Sequence, residues 1–203
     1  NPGLVRKFPH IPGIDAAGKI IYSPSKKFRK GEKVLILGRP LGVLRWGGFS
    51  EYVSVPEKWI DKLPKKLSEK KSMIFGTAGF TAISIILKIF KSKISKDGNP
   101  ILIVGGTTGV GIIISLILKK LGFKLVLTTR DKTKAKKLKK LGFNKILDSK
   151  SLNKENTLHL DRVEYSTVVD NIGGNNIQNQ LKKLQNKGNY YVIGNLEGNN
   201  SKL

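Results

Sequence analysis

Residues 101–111 read Ile-Leu-Ile-Val-Gly-Gly-Thr-Thr-Gly-Val-Gly, four aliphatic side chains running straight into a cluster of glycines. No other stretch restricts the fold as strongly. A short, wholly apolar run predicts a strand buried on both faces. The glycines after it let the chain turn tightly and let backbone approach a ligand closely. The apolar run Gly109–Leu121, closed by Gly122, predicts a helix. Strand, glycine loop and helix together gather free amide hydrogens and the positive end of a helix dipole at one point, which suits a phosphate. The usual spacing G-x-G-x-x-G would put glycines at 106, 108 and 111. Here the middle position is Thr108, with Gly109 beside it. Gly106, Thr107, Gly109, Val110 and Gly111 are therefore expected to line a pyrophosphate, mostly through backbone groups.

Strands and helices alternate from Pro100 onward. Lys124–Thr128 is a predicted strand, and Thr133–Leu141 a helix with Ala135, Leu138 and Leu141 on one side and lysines on the other. Lys145–Leu147, Thr167–Val169 and Tyr190–Ile193 are further strands, with a helix over Asn175–Leu184 before the last. Buried strands alternating with helices imply right-handed crossovers and a parallel sheet. The expected fold class is α/β, a Rossmann-type domain over residues 67–203. Seven prolines (Pro2, Pro9, Pro12, Pro24, Pro40, Pro56, Pro64) disfavour long helices before that point. Residues 1–66 read as β-rich, with strands over Gly18–Tyr22, Lys33–Leu37 and Glu51–Val55, and Ser68 followed by Glu69 starts a helix.

Cofactor choice in such a domain is read at the end of the second strand, about 20 residues past the glycines, where an acid binds the ribose 2′-hydroxyl of NAD. That slot holds Thr129, followed by Arg130, with Lys134 in the next helical turn. Hydroxyls and a guanidinium would bind a 2′-phosphate that a carboxylate would repel. NADPH is the expected cofactor, although Asp131 lies close by.

Composition narrows the chemistry. The chain has 203 residues, no cysteine and two histidines, His10 and His159, so thiolate nucleophiles and thiolate zinc sites are excluded and no metal is expected. A net charge of +24 raises the question of nucleic acid. The lysines are spread over nearly every segment and aromatics are 7% of the chain, which favours a solvated surface over a nucleic-acid face. The charge would still attract phosphorylated small molecules. No uninterrupted apolar run reaches membrane-spanning length and no signal peptide is visible, so no membrane partner and a cytoplasmic location are expected.

With these residues in place, the chain resembles the medium-chain dehydrogenase/reductase superfamily. Within it, the likeness is greatest to the zinc-free quinone-oxidoreductase branch that includes NADPH-dependent acrylyl-CoA reductases. The resemblance rests on Phe8-Pro-His-Ile-Pro-Gly-Ile-Asp15 with Ala17-Gly18, Trp46-Gly-Gly-Phe-Ser-Glu-Tyr52, Gly76-Thr-Ala-Gly-Phe-Thr-Ala82, the glycine loop and Val169-Asp-Asn-Ile-Gly-Gly174. The segments occur in family order at family spacing. Zinc-dependent members carry Gly-His-Glu where this chain has Gly13-Ile14-Asp15, so the ligating histidine is replaced by Ile14. Reduction of an activated carbon–carbon double bond or a quinone, which needs only a placed hydride and a proton source, is the implied activity.

The resemblance also implies that residues 1–66 are part of a GroES-like substrate domain. It implies a longer parent chain extending beyond both termini, a proton donor upstream of Asn1, and a homodimer at full length. It puts Thr77 and Thr81 near the nicotinamide, helix capping being the alternative. Asn171, Gly194 and Asn195 fall at the ends of later strands, where a cofactor would cross the sheet edge. Asn195 would bond the carboxamide or serve only as a loop residue. Asp15 reads as a structural turn residue. Trp46 and Phe49 either wall a substrate cleft or pack in the β domain, and Arg39 and Arg45 are candidates to meet a CoA phosphate.

Overall fold

A computed structural model of the chain describes residue 5 and residues 7–153, 163–174 and 177–194. Its contacts divide it into two compact units, Asn1–Phe80 and Thr81–Leu203.

The first unit holds a three-stranded antiparallel sheet of β1 (Ala16–Lys19), β2 (Lys33–Ile36) and β3 (Asp61–Lys62), in the order β1-β2-β3. Ile20, Phe28 and Val34 form its small core, with Ile60 against them. The first strand lies earlier than Gly18–Tyr22, because pairing with the β2 hairpin ends where Ile20 N–H donates to Glu32 O at 3.0 Å. Ile21 and Tyr22 beyond it are exposed. Glu51–Val55 is not a strand. Its alternating pattern suits a sheet surface, yet no described strand pairs with it, and pairing rather than pattern makes a strand. Before it, Gly47 and Gly48 donate to Ile11 O and Gly13 O at 2.7 and 2.9 Å, an approach so close that a Cβ at Gly47 would strike the Pro12 backbone and one at Gly48 the Asp15 carbonyl.

The long helix α1 (Glu69–Lys91) starts at Ser68, whose Oγ accepts from Lys71 N–H at 3.2 Å. It is broken at Gly76, where φ is 50° and ψ is −154°, a conformation open to glycine and few others. By length and composition α1 could cross a membrane, although its sequence holds no uninterrupted apolar run of that length. In the second unit, however, its Ala82, Ile85, Ile86 and Ile89 are buried in the core.

The second unit is a five-stranded parallel sheet, made of β4 (Ile101–Val104), β5 (Leu125–Thr129), β6 (Ile146–Asp148), β7 (Tyr165–Asp170) and β8 (Leu184–Val192). The order is β6-β5-β4-β7-β8. Helices α2 (Gly109–Lys120), α3 (Lys132–Lys140) and α4 (Ile177–Lys182) make the crossovers. β4 lies at the centre with all four residues buried. Ile101 and Ile103 join the core formed with α1, α2 and α3, while Leu102 and Val104 join a second cluster on the other face with Val126 and Val168. This is the period-two alternation of a strand covered on both sides. Chain order reverses at β4, its neighbours being β5 on one side and β7 on the other. The crevice beyond the carboxyl ends of β4 and β7 is where open α/β sheets bind ligands.

Candidate functional site

The glycine loop occupies that position. Gly105 has φ +71°, and its N–H donates to the buried Thr128 Oγ1 at 3.1 Å. Gly106 N–H donates to Thr128 O at 2.9 Å, and a Cβ there would come 2.9 Å from Leu127 Cγ. Thr108 caps α2, its Oγ1 accepting from Gly111 N–H at 3.0 Å while its own N–H donates to Gly105 O at 2.9 Å. A Cβ at Gly111 would run into the Gly105 carbonyl oxygen. The loop residues thus divide by role. Gly106 and Gly111 have their amides engaged within the protein and serve close packing. The amides of Thr107, Gly109 and Val110 stand at a helix start without intrahelical partners. No acid lies in the first turn of α2. This arrangement fits a diphosphate: donors without intrahelical partners, no carboxylate in the first turn of α2, and glycines that bring backbone to the surface.

Thr129 ends β5 buried, with its Oγ1 3.3 Å from Thr107 Oγ1 and accepting from Asp131 N–H at 3.3 Å. Arg130 and Lys134 are exposed beside it. Asp131, the acid two positions beyond Thr129, is the N-cap of α3. Its Oδ1 accepts from Thr133 and Lys134 amides at 2.8 and 3.0 Å. The Lys134 hydrogen bond chiefly, with that from Thr133 and nearby lysines, holds its carboxyl below the usual Asp range.

Across the crevice, Asn171 follows β7 and is 5% exposed. Its N–H and Nδ2 both donate to Val104 O, at 3.2 and 2.9 Å, which ties it to the residue that precedes the glycine loop. Its Oδ1 is buried with no partner among the described residues. Gly194 follows β8, and a Cβ there would strike the Asn171 backbone. So the sheet edge brings together the loop, Thr129, Asn171 and Gly194. Asn195 lies outside the described residues.

In the first unit, Thr77 and Asp15 meet directly: the Thr77 amide donates to Asp15 Oδ2 at 2.9 Å and its hydroxyl donates to Asp15 Oδ1. Gly38 N–H donates to Thr77 Oγ1 at 3.2 Å. Asp15 caps the second stretch of α1 after the Gly76 break, a structural role, but at a distant helix rather than in the local turn expected of it. Thr81 is half-buried in α1. Trp46 and Phe49 are 63% and 79% exposed rather than packed. Trp46 lines a cavity of about 920 Å³ with Pro9, His10, Arg45 and Tyr52. Arg45 lies over the Trp59 ring at 5.8 Å. His10 has Nε2 within 2.9 Å of Gly42 O.

Two features escape the sequence reading. Thr108 as helix cap is signalled only by residue type at the right position. A polar cluster of Asp170, Gln180 and Tyr190 beneath the sheet edge has no local signal, its members being spread over two strands and a helix.

Comparison with known proteins agrees with this architecture. Residues 2–65 match the model of the alcohol dehydrogenase GroES-like domain, and residues 109–203 that of zinc-binding dehydrogenases. YhfP of Bacillus subtilis (strain 168), a protein named for quinone oxidoreduction, is 36% identical over 191 residues, covering 94% of this chain and 58% of that protein. Its crystal structure with NAD bound superposes with a TM-score of 0.88, covering 98% of this chain and 60% of that one. The acrylyl-CoA reductase AcuI of Ruegeria pomeroyi is 31% identical over 192 residues, covering 95% of this chain and 58% of AcuI. The crystal structure of Escherichia coli K-12 YhdH with bound NADPH gives a TM-score of 0.90 at 29% identity, covering 98% and 61% of the two chains. The chain thus spans about 58% of the curated relatives it matches over most of its own length. With a GroES-like segment followed by a Rossmann-type α/β unit, and with these relatives, the chain belongs to the medium-chain dehydrogenase/reductase superfamily.

Proposed function

We propose that the protein is an NADPH-dependent reductase of activated carbon–carbon double bonds, with an enoyl thioester such as acrylyl-CoA as its substrate. The observation that carries the cofactor choice is the end of β5, where Thr129 stands in the acid's place and the nearby carboxylate of Asp131 is held on the amides of Thr133 and Lys134. Bound NADPH would supply a hydride, delivered to the β-carbon of the enoyl group while the α-carbon takes a proton. The amides of Thr107, Gly109 and Val110 would hold the diphosphate, with Gly106 and Gly111 keeping the loop close. Thr129, Arg130 and Lys134 would bind the 2′-phosphate by charge-assisted hydrogen bonds. Asn171 and Gly194 would border the nicotinamide half; Thr77, Thr81 and Asn195 keep the roles the family resemblance implies. The AcuI relative supports the thioester. A second reading, reduction of quinones or enones, is favoured by the name of YhfP.

Titrating the protein with NADPH and NADH, read by nicotinamide fluorescence, tests the cofactor. NADPH should bind about tenfold or more tightly, and Arg130→Ala should erase most of that preference. A preference for NADH would overturn the reading. Turnover of acrylyl-CoA against a quinone panel, by a chain that also carries the residues its longer relatives have, then separates the two substrates.

A further inference from the structure

Tyr190 places its hydroxyl 2.8 Å from Asp170 Oδ2 and 2.6 Å from Gln180 Oε1. A phenol has one hydrogen and cannot donate to both acceptors. Gln180 Nε2, meanwhile, is buried without a partner among the described residues. Turning the Gln180 amide over brings its N–H to the phenol oxygen and leaves the hydroxyl hydrogen to Asp170, with the amide oxygen moved to the position that has no partner among the described residues. Burial, reinforced by the Asp170 carboxylate, pushes the Tyr190 hydroxyl far above its ordinary pKa, so it stays a donor.

Asp170 distributes this anchorage. Its Oδ1 accepts from Ile172 and Gly173 amides at 2.8 and 2.9 Å. Its carbonyl accepts from Ile193 and Gly194 amides at 2.7 and 3.3 Å. One fully buried residue therefore fixes both chain segments at the carboxyl end of β7 and β8. Between the two sets of bonds lies Asn171. Its Nδ2 is committed to Val104 O, and its orphaned Oδ1 can only accept. A carboxamide or a ribose hydroxyl could donate to it; a diphosphate could not. In a doubly wound sheet the adenosine half belongs to the first βαβ half, here β4 and β5, and the other nucleotide to the second.

Resting on the reading above, we propose that Tyr190 is a positioning residue for the nicotinamide half of the cofactor: through Asp170 it sets how Asn171 and Gly194 meet that half, without itself touching it. A purely structural tyrosine would affect all ligands alike, whereas this one acts on one half of the dinucleotide.

The test is Tyr190→Phe, with Asp170→Ala as a second variant, titrated with NADPH and with adenosine 2′,5′-bisphosphate, which carries only the adenosine half. Tyr190→Phe should weaken NADPH about fivefold and Asp170→Ala more, each leaving the bisphosphate within about twofold of the parent. Retained bisphosphate binding also shows that the variants fold. Unchanged NADPH affinity in Tyr190→Phe would overturn the inference, as would equal weakening of both ligands. Failure of the parent chain to bind either ligand would instead overturn the cofactor reading itself, and this inference with it.

Discussion

The Thr77 amide donates to Asp15 Oδ2 at 2.9 Å across 62 positions of sequence. The break at Gly76 leaves the second stretch of α1 with exposed donors at its start, and the carboxylate takes the place of a local N-cap. Asp15→Ala should lower stability by about 1–2 kcal/mol, and Asp15→Asn, which keeps an acceptor, by less. Urea unfolding followed by helical circular dichroism reads the difference. Equal stability in all three proteins would show that the contact is dispensable.

Glycines 106 and 111 should differ in what they tolerate. Alanine at 106 meets the buried Leu127 side chain at its Cγ and Cβ and must displace it, so Gly106→Ala should cost about 1–3 kcal/mol. Alanine at 111 meets the Gly105 carbonyl, which is backbone and fixed by the loop's own bonds. Gly111→Ala should therefore destabilise more and displace the start of α2. Denaturant midpoints measured side by side decide the order.

The Asp131 cap gives a pH signature. Its carboxyl titrates below the ordinary Asp value of 3.8 in the folded chain because it accepts from the Lys134 and Thr133 amides. A lowered folded pKa contributes stability that is full above the unfolded value and is lost as pH falls through the folded one. The stability gap between the parent and Asp131→Asn should be constant from pH 7 to 5 and shrink as pH falls below the ordinary Asp value of 3.8. A gap that widens in acid would contradict the assignment.

The second unit was legible in sequence because its signals are local. Ile101–Val104 is buried on both faces and reads so. Gly122 and Gly142 follow the last residues of α2 and α3 and have positive φ, as glycine after a helix predicts. What pairing alone decides was not legible. The expected strand at Tyr190–Ile193 is the end of β8, which begins at Leu184, inside the expected helix, and α4 stops at Lys182. Gln185, Asn186, Lys187 and Gly188 read as a loop, and Lys187 does take a positive φ. The register slips there, with Leu184 opposite Tyr165 and Asn189 opposite Thr167, so β7 supplies the order that the residues themselves lack. In the site, the slot at Thr129 was visible by spacing. The buried partners of Asn171 and Tyr190 were not, since burial and hydrogen bonding across 67 and 20 positions leave no mark on composition.

Thr108 shows where the needs of the fold and of a ligand part company. Aspartate caps a helix as well as threonine does or better, and this chain uses aspartate for that purpose at 131 and, from a distance, at 15. At 108 it has a neutral hydroxyl instead. Thr108→Asp should leave the unfolding midpoint where it is, or raise it, while NADPH affinity falls at least tenfold and regains ground as salt is added. A swap that improves the helix and silences the loop would mark the position as one kept for its receptivity to anions rather than for its strength.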